Sequence, residues 1–365
     1  MIKSQPIREK IKATKSGLNY IKKIQSQASK LKKIEGCSQI KTKIEFEKEH
    51  FNAWNVCISL DGKEKSITYH FYTNLKTFYE LNFPYQLINI LLAKFPSIKL
   101  LSTHELFISF LKSYPDIKGS FMMSWHDNAK PKNTLTEDCK FITFTCLKTD
   151  PWGLCIADDF FLSSHAYSQF RQQVEQRWLQ WSERTPVAFW RGSSTGSVLT
   201  KANWQDNRRI RLCQIAKQHD DEQFIDAKIT KLIQIKEREV KKMIRNADLV
   251  DSYTPTIEFL KYKYVIDIDG NSNSWPGLFT KLLTGSCVLK VESSWKQWYY
   301  NNLKPWVNYI PIKNDMSDLI EKISWCREHD DKARIIGENG RKLALSMTME
   351  TETSKAYKTI LKILK

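Results

Sequence analysis

Apolar and polar residues follow two alternating patterns along this chain. In KIEFE, NAWNVCISL and KSITYHFY they alternate at every second position, which is typical of half-buried β-strands. In YQLINILLAKF and HELFISFLKSY the apolar residues recur at helical spacing. Both patterns continue in turn through GSFMMSWHDN, KFITFTCLK, SQFRQQVEQRWLQW, PVAFWRG, RRIRLCQIAKQ, KYKYVIDIDG, LFTKLLTGS and CVLKV. Strands that alternate with helices predict an α/β fold with parallel sheets and helices on both faces.

The length of 365 residues favours two domains, although no Gly/Ser-rich or Pro-rich linker marks a boundary between them. A hydrophobic content of 41%, with 12% aromatic residues, excludes a largely disordered chain. We expect an N-terminal segment over residues 1–38, an N-terminal domain over 39–170, a C-terminal domain over 171–345 and a C-terminal helix over 346–365.

The first 35 residues combine ten Lys and Arg with two acids, and apolar residues recur at about helical spacing from Ile11 to Leu31. One interpretation is a basic amphipathic helix that lies on an anionic membrane. The other is a solvated helix whose narrow apolar stripe packs on the body of the protein.

The formal net charge of +17 predicts an anionic partner, which includes nucleic acid, acidic lipid and phosphate-bearing substrates. The eight cysteines form no C-x-x-C pair, which argues against a structural zinc site and favours free thiols in a reducing compartment. No apolar signal-peptide core opens the chain, and no run reaches the roughly 18 apolar residues of a membrane span, so neither is expected.

The stretch KYKYVIDIDGNSNSWPGLFTKLLTGS, Lys261–Ser286, changes from an apolar strand to a small polar turn with Gly270 and then to a helix with Lys281. In open α/β sheets, ligands bind beyond the carboxyl ends of the strands. Such a turn lets the backbone approach a phosphate, and the next helix offers unpaired N–H groups. The pattern predicts phosphate binding, with an ordinary turn as the alternative. Asp267 and Asp269 end the strand, which favours turn capping over metal binding.

A second candidate is PVAFWRGSSTGS, where Arg191 ends a buried strand and is followed by Gly192, Ser193 and Thr195. A guanidinium beside small hydroxyl residues suits a diphosphate, because Arg binds its oxygens bidentately. The G-K-[ST] of a P-loop is missing, so ATP hydrolysis receives no support. Arg209, in NRRIRLC, adds another cation shortly after this motif.

The third candidate is GSFMMSWHDNAKP, in which Asp127 stands where an apolar strand ends, after Trp125 and His126. A carboxylate beside an indole could act as a general base whose pKa is raised by desolvation. The alternative is a cap for the loop that follows.

The chain resembles the family 90 glycosyltransferases in runs that keep the family's order: FWRGSSTGS, NRRIRLC, KYKYVIDIDGNSNSW, KLLTGSCVLKVESSWKQWYYNNLKPWVNYIPI and DLIEKISWCREHDDKARIIGENGRKLA. The family includes capsule-associated and lipopolysaccharide-core transferases and the protein O-glucosyltransferases. Within it, the chain looks most like a bacterial lipooligosaccharide core transferase.

This resemblance implies a GT-B architecture, in which two Rossmann-like domains face each other across a cleft. It implies an inverting, metal-independent hexosyltransferase with no cofactor beyond a nucleotide-sugar donor, commonly UDP-glucose, UDP-galactose or UDP-xylose. The N-terminal domain would then hold the acceptor and the catalytic base, and the C-terminal domain would bind the donor.

The resemblance also assigns roles to residues. Asp127 matches the catalytic base, and we expect Trp125, His126 and Trp275 to contact the substrate. The expected donor contacts are Arg191, Gly192, Ser193, Thr195, Arg209, Asp269, Gly270, Asn271, Ser272 and Lys281.

Two positions depart from the family pattern. Family members usually carry an arginine shortly after the D-G-N-S turn, but Pro276, Gly277 and Leu278 stand there in this chain. Lys281, Arg209 or the helix N-terminus would then supply the charge that meets the donor diphosphate. Asn308 replaces a histidine that is frequent in the K-P-W-V-H-Y-I-P motif.

The expected acceptor is a sugar of a lipid-linked core oligosaccharide. The basic N-terminus would hold the enzyme at an anionic surface, peripherally on the cytoplasmic face of the bacterial inner membrane. No nucleic-acid partner is expected, because helix-turn-helix, zinc-finger and RNP-type motifs are missing from the sequence. A nucleic-acid-binding protein and a catalytically inactive glycan-binding module of the same fold are the alternatives.

Overall fold

The computed structural model describes residues 41–47, 55–72, 97–125, 140–219 and 223–364. None of the helices in these ranges is long and apolar enough to cross a membrane.

The described residues form two compact units. The first contains the described chain up to Phe144, together with Asp150–Ser163 and the residues from Thr353 onward. The second contains Thr145–Thr149 and Ser164–Glu352.

The predicted basic segment over residues 1–38 lies outside the described residues. The predicted domain boundaries after residues 170 and 345 stay predictions.

The secondary-structure elements follow one another in the α/β order that the sequence pattern predicts. The elements up to the middle of the chain are β1 (Lys41–Glu47), β2 (Asn55–Asp61), β3 (Ser66–Tyr72), α1 (Ser97–Ser113), β4 (Lys118–Ser124), β5 (Phe141–Thr143), β6 (Cys146–Leu147), β7 (Gly153–Cys155), α2 (Asp159–Ser163) and α3 (Ser168–Gln176). The remaining elements are β8 (Thr185–Ser193), α4 (Arg208–Gln218), β9 (Ile225–Lys231), α5 (Arg238–Asn246), β10 (Tyr262–Asp267), α6 (Pro276–Leu283), β11 (Cys287–Val291), β12 (Trp295–Lys296), β13 (Ile310–Ile312), α7 (Leu319–Glu328), α8 (Asp330–Ser346) and α9 (Met349–Leu364).

The sheet of the first unit is mixed, with the order β1-β3-β2-β4-β5-β7. β1 and β3 are parallel, as are β4, β5 and β7, but β2 is antiparallel to both of its neighbours. β2 ends at Asp61 and β3 begins at Ser66, so only a short turn joins them. A connection of this length forms a hairpin, because a parallel pair needs a crossover of about a dozen residues or more. The prediction of parallel sheets therefore holds only in part for this unit.

The sheet of the second unit has the order β13-β11-β10-β8-β9, and all of its strand pairs are parallel. The run CVLKV of β11 is buried at every position, and β10 is buried from Tyr264 onward. Continuous burial is expected for a parallel strand that is covered on both faces. The predicted α/β class with a parallel sheet is confirmed here.

Helices cover this sheet and complete the core of the second unit. α4 packs on β9, and α8 packs on α6 and β11. The side chains at the centre of the core are at most 2% exposed and include Ala188, Trp190, Ile229, Tyr264, Ile266, Leu289, Ile310 and Ile323.

The strand order reverses between β8 and β10. From β8 the chain moves to β9 on one side, and it then returns to place β10, β11 and β13 in turn on the other side. In open α/β sheets, the crevice at the carboxyl ends of the two strands that flank such a reversal is the usual ligand site.

Candidate functional site

Two loops meet where the strand order of the second sheet reverses. One follows β8 and contains Ser194, Thr195 and Gly196, and the other follows β10 and runs from Ile268 to Ser272. Because β8 and β10 are adjacent and parallel, both loops leave the sheet at the carboxyl ends of its strands. We call these two loops, together with Ser193 and Arg209, the switch-point site.

Arg209 joins the two loops. Its Nη1 donates to the Ser193 carbonyl (3.1 Å) and to Thr195 Oγ1 (2.7 Å) on the β8 side. Its Nη2 donates to the Ile268 carbonyl (3.0 Å) and its Nε to the Asp269 carbonyl (2.9 Å) on the β10 side. Burial lowers the pKa of Arg209 to about 10, so the side chain is charged at neutral pH. These acceptors are neutral oxygens, so the hydrogen bonds themselves do not cancel the positive charge, although the nearby carboxylates of Asp267 and Asp269 act to raise the pKa of Arg209.

Asn207 fixes the start of α4 and therefore the place of Arg209. Its Oδ1 accepts hydrogen bonds from the backbone N–H groups of Arg209 (3.0 Å) and Ile210 (3.2 Å), which is the arrangement of a helix N-cap. Its Nδ2 donates to the Thr195 carbonyl (3.3 Å). One side chain thus caps the helix and binds it to the loop after β8.

Gly270 is the point of closest approach between the loops. A Cβ at this position would lie 2.8 Å from Thr195 Oγ1 and 3.1 Å from Arg209 Nη2. The first distance is too short for a real contact, so any side chain here would push Thr195 or Arg209 away. The close packing of the two loops therefore requires glycine.

Asn271 connects three loops that follow the carboxyl ends of the strands β8, β9 and β10. Its Oδ1 accepts hydrogen bonds from the backbone N–H of Gly196 (3.2 Å) and from Gln234 Nε2 (3.0 Å). Gln234, in the loop after β9, also accepts from the Gly196 N–H through Oε1 (3.2 Å). Gly196 has a φ of +127°, a conformation that L side chains rarely adopt.

A buried carboxylate at the end of β10 binds two lysines. Asp267 is 0% exposed, and its two oxygens accept hydrogen bonds from Lys281 Nζ (2.9 Å) and Lys290 Nζ (3.1 Å). Burial alone would raise the pKa of Asp267, but the two ammonium groups hold it well below its usual range. Burial also lowers the pKa of Lys281. Two ammonium groups on one carboxylate leave an excess of positive charge beside the switch-point site.

Two buried polar atoms of the turn have no hydrogen-bond partner among the described residues. Asp269 Oδ1 and Ser272 Oγ accept or donate no hydrogen bond among the described residues, although Asp269 is 4% and Ser272 0% exposed. Burial raises the pKa of Asp269, although Lys290 and Ser293 oppose this shift. Buried polar atoms are rarely left unsatisfied, so these two atoms are available for hydrogen bonds with a ligand or with water.

Trp275 begins α6 in a strained conformation, with φ +54° and ψ −120°. Its backbone N–H donates to Asn273 Oδ1 (2.7 Å), and Ser274 Oγ accepts from the Leu278 N–H (3.1 Å). The helix itself starts at Pro276, as the sequence predicts. Strain of this kind in a large residue is typical of functional sites.

Arg191, a predicted diphosphate contact, has other partners in the structure. Its guanidinium binds both oxygens of Asp226 (2.7 and 2.9 Å) and Asp251 Oδ2 (2.8 Å), and it lies 4.5 Å from the centroid of the Phe189 ring. Burial would lower the pKa of Arg191, but the two carboxylates raise it above its usual value. Two carboxylates more than neutralise this cation, so its direct contact with a diphosphate stays a prediction that the geometry does not favour.

The other predicted donor contacts divide into two groups. Ser193, Thr195, Arg209, Asp269, Gly270 and Asn271 take part in the network of the switch-point site. Ser272 is buried in the same turn, Gly192 precedes the network on β8, and Lys281 binds Asp267 at the end of β10, directly before the turn.

Of the residues predicted on the acceptor side, Trp125 lies within the described ranges. Trp125 follows β4 in the first unit, is 1% exposed, and accepts a hydrogen bond from Lys99 Nζ at its carbonyl (2.8 Å). The ring is therefore buried in the first unit, and its contact with a substrate stays a prediction. His126 and Asp127 lie outside the described residues, and the catalytic base therefore stays a prediction.

Among the described residues, no group of three or more His, Cys, Asp or Glu side chains could hold a metal ion. In the D-I-D sequence, Asp267 binds two lysines rather than capping a turn.

Three residues that make contacts in this region were not predicted as site residues from the sequence. Lys290 interrupts the buried run CVLKV, and a cation in a buried strand signals a buried partner. Asn207 stands directly before an apolar-periodic helix, which is a recognisable N-cap signal. Gln234 carries no such signal, because its partners Gly196 and Asn271 are distant in the sequence.

The family model and the similar proteins each match about half of the chain. Residues 163–362 match the model of glycosyl transferase family 90. Protein 179R of invertebrate iridescent virus 6, described as uncharacterized, is 35% identical over 182 residues, which are 44% of this chain and 15% of that protein. Protein O-glucosyltransferase 3 of Rattus norvegicus is 33% identical over 161 residues, which are 44% of this chain and 28% of that protein.

The chain thus spans less than a third of the length of these two relatives. Among solved structures, Anabaena Alr3699/HepE in complex with UDP-glucose has 11% sequence identity and a TM-score of 0.40, and the match covers 88% of this chain and 98% of that chain.

Proposed function

The chain belongs to glycosyl transferase family 90, and we propose that it is an inverting, metal-independent hexosyltransferase that uses a UDP-sugar, UDP-glucose or UDP-galactose, as donor. The GT-B architecture is part of this proposal. In it, the second unit binds the donor, and the diphosphate lies at the switch-point site against the turn Gly270–Ser272.

The close approach of the loops at Gly270 carries this proposal. Bare backbone and a small hydroxyl residue meet there, and the turn leads in the chain to the start of α6, which suits a phosphate group. Arg209 keeps its charge, and Lys281 and Lys290 together exceed the charge of Asp267. The site therefore offers a net positive potential to an anionic donor.

In the proposed reaction, an acceptor hydroxyl oxygen attacks the anomeric carbon of the donor sugar while Asp127 takes its proton. The bond from the anomeric carbon to the phosphate oxygen breaks, and UDP leaves with the electron pair. Attack and departure on opposite faces invert the configuration. The fixed positive groups of the second unit would stabilise the charge that develops on the diphosphate, and one such contact is worth about 10²- to 10³-fold in rate.

For the acceptor, we propose a hydroxyl of a lipopolysaccharide or lipooligosaccharide core sugar, with the enzyme bound peripherally to the cytoplasmic face of the inner membrane. The net charge of +17 supports an anionic surface as partner. A second candidate is a hydroxyl group of a protein, because relatives that are 30 to 33% identical over part of their length are named protein O-glucosyltransferases.

A thermal-shift screen of the full chain against UDP-glucose, UDP-galactose, UDP-xylose and GDP-mannose tests the donor proposal, because a ligand that binds the folded state raises the melting temperature. We expect a UDP-sugar to stabilise the protein more than GDP-mannose does. A UDP-release assay with core oligosaccharide or with acceptor protein then separates the two acceptors.

The same assays test the alternatives. Donor binding without UDP release from any acceptor would indicate an inactive glycan-binding module. Salt-sensitive binding of random-sequence nucleic acid without any UDP affinity would indicate a nucleic-acid-binding protein and contradict the proposal.

A further inference from the structure

Helix α5 carries a stripe of cations that the switch-point site does not use. Arg238, Lys241, Lys242 and Arg245 follow the spacing i, i+3, i+4 and i+7, so they share one face of the helix. Val240, on the other face, is 0% exposed and packs into the core of the second unit. The burial of that face holds the cationic stripe outward.

The stripe forms one wall of a concave surface. The cleft has a volume of about 480 Å³ and is lined by Ile235, Lys236, Arg238, Lys241, Lys242 and Arg245. We call it the α5 cleft. Its volume lies within the range of about 300–1,000 Å³ that is usual for small-molecule sites. Five of its six lining residues are cationic.

The cations of the α5 cleft form no ion pair among the described residues, although Glu237 and Glu239 stand beside them in the chain. Among the described residues, no carboxylate forms an ion pair with any of the five cations of the α5 cleft. Glu237, at the start of α5, accepts a hydrogen bond from the backbone N–H of Lys201 (3.2 Å). Like charges at helical spacing repel one another, so the arrangement is more stable with an anion between them.

We propose that the α5 cleft binds a small molecule or lipid headgroup that carries several phosphate groups. Arginine binds phosphate oxygens bidentately and lysine binds them as a point charge, and the cleft offers both. A helix of nine residues spans only about 13 Å, which suits a compact polyanion rather than a polymer. None of the described residues that line the cleft is aromatic and could stack on bases, which argues against single-stranded nucleic acid.

This inference does not depend on the proposed function. None of the residues that line the α5 cleft belongs to the switch-point site. The two sites are nonetheless joined by the chain, because Gln234, which binds Asn271, directly precedes Ile235. The pairing of Leu199 with Ile235 holds this connection in place.

Isothermal titration of the full chain with inositol hexakisphosphate tests the proposal. We expect the double variant Lys241→Gln/Arg245→Gln to bind the probe at least about tenfold more weakly, because two charge-assisted contacts are lost. The matched control Lys332→Gln/Lys342→Gln removes the same charge from exposed positions of α8 and should stay within about twofold of the wild type. The proposal is contradicted if the wild type does not bind the probe, or if both double variants lose affinity for it to the same extent.

A melting-temperature measurement covers the case in which a variant is altered in stability. The probe should raise the melting temperature of the wild type and of the control by similar amounts, and that of the α5 variant by less. Equal increases in all three proteins would overturn the proposal.

Further titrations identify the source of the phosphates. Sedimentation with vesicles that contain phosphatidylinositol 4,5-bisphosphate, but not with phosphatidylcholine vesicles, would assign a headgroup, and binding of the free polyanion alone would assign a soluble ligand. Tighter binding of a random-sequence RNA than of the probe at equal salt, lost in the α5 variant, would contradict the proposal in favour of nucleic acid.

Discussion

Arg191 and Arg209 lie in two different regions of the second unit, and their surroundings give them opposite electrostatic roles. Arg191 is held by the carboxylates of Asp226 and Asp251, so this region carries a net negative charge. Arg209 donates to backbone carbonyls and a hydroxyl and keeps its charge. Both arginines look like phosphate ligands in the sequence, but only the second leaves its region positive.

The comparison shows that the partners of a cation, rather than its position in a motif, decide whether it attracts an anion. A carboxylate partner cancels the field of a guanidinium, whereas a carbonyl partner orients the guanidinium and leaves its field. The buried lysines on Asp267 extend the positive region around Arg209.

The largest effect is expected from the removal of the Asp267 carboxylate, which holds the two buried lysines of the positive region in place. We expect Asp267→Asn to lower the free energy of unfolding by about 3–5 kcal/mol, because Lys281 and Lys290 would remain buried without a counter-charge. Guanidinium denaturation measures this change. The triple variant Asp267→Leu, Lys281→Met and Lys290→Met should regain most of the lost stability. A loss below about 1 kcal/mol in Asp267→Asn would show that Asp267 does not stabilise the two buried lysines.

Exchange of each arginine for methionine tests the comparison directly. Arg209→Met should lower the rate of UDP-sugar turnover by about 10²- to 10³-fold, because it removes a positive charge and the link between the loops. Arg191→Met should lower it by less than about tenfold, the size expected when no contact to the leaving group is lost. A UDP-release assay measures both, and an equal loss in the two variants would remove the distinction between the regions.

A smaller effect is expected from a substitution at Gly270, where the two loops of the switch-point site approach each other most closely. Gly270→Ala should weaken UDP binding by about tenfold, which corresponds to about 1.4 kcal/mol of binding free energy. The reason is that the new methyl group would displace Thr195 or Arg209. The wild type is the reference, and Lys332→Gln, at an exposed position of α8, is the control for a single surface change. Calorimetric titration with UDP compares them, and equal affinities would show that the contact at Gly270 is not part of the donor site.

The smallest expected effect concerns the acid range around Arg191. The backbone N–H of Ser252, and then Arg191, hold the pKa of Asp251 below its usual value. A carboxyl group with a depressed pKa stabilises the folded state above its unfolded pKa, and this contribution is lost as the pH falls through the folded pKa. The stability difference between the wild type and Arg191→Met should therefore shrink as the pH is lowered below about 4. Denaturation curves across this range measure it, and a constant difference would contradict the role of Arg191.

The local parts of the fold could be predicted from the sequence. The apolar run of β10, the small polar turn and the helix that starts at Pro276 stand next to one another in the chain, so their pattern is sufficient. The hairpin of β2 and β3 also has a local signal, the turn after Asp61, but the alternation with helices elsewhere outweighed it and led to the prediction of a parallel sheet.

The roles of the charged residues could not be predicted in the same way. The partners of Arg191 lie 35 and 60 residues away in the sequence, and those of Arg209 belong to two different loops. Only the pairing of β8 with β9 and β10 brings these groups together, and no motif in a single segment records it.

A structure of the full chain with bound UDP tests the central claim most directly. The account predicts that the diphosphate lies against Gly270–Ser272, that it satisfies Ser272 Oγ, and that Arg191 stays bound to Asp226. A diphosphate on Arg191 with Asp226 displaced, or one bound away from the loops after β8 and β10, would contradict it.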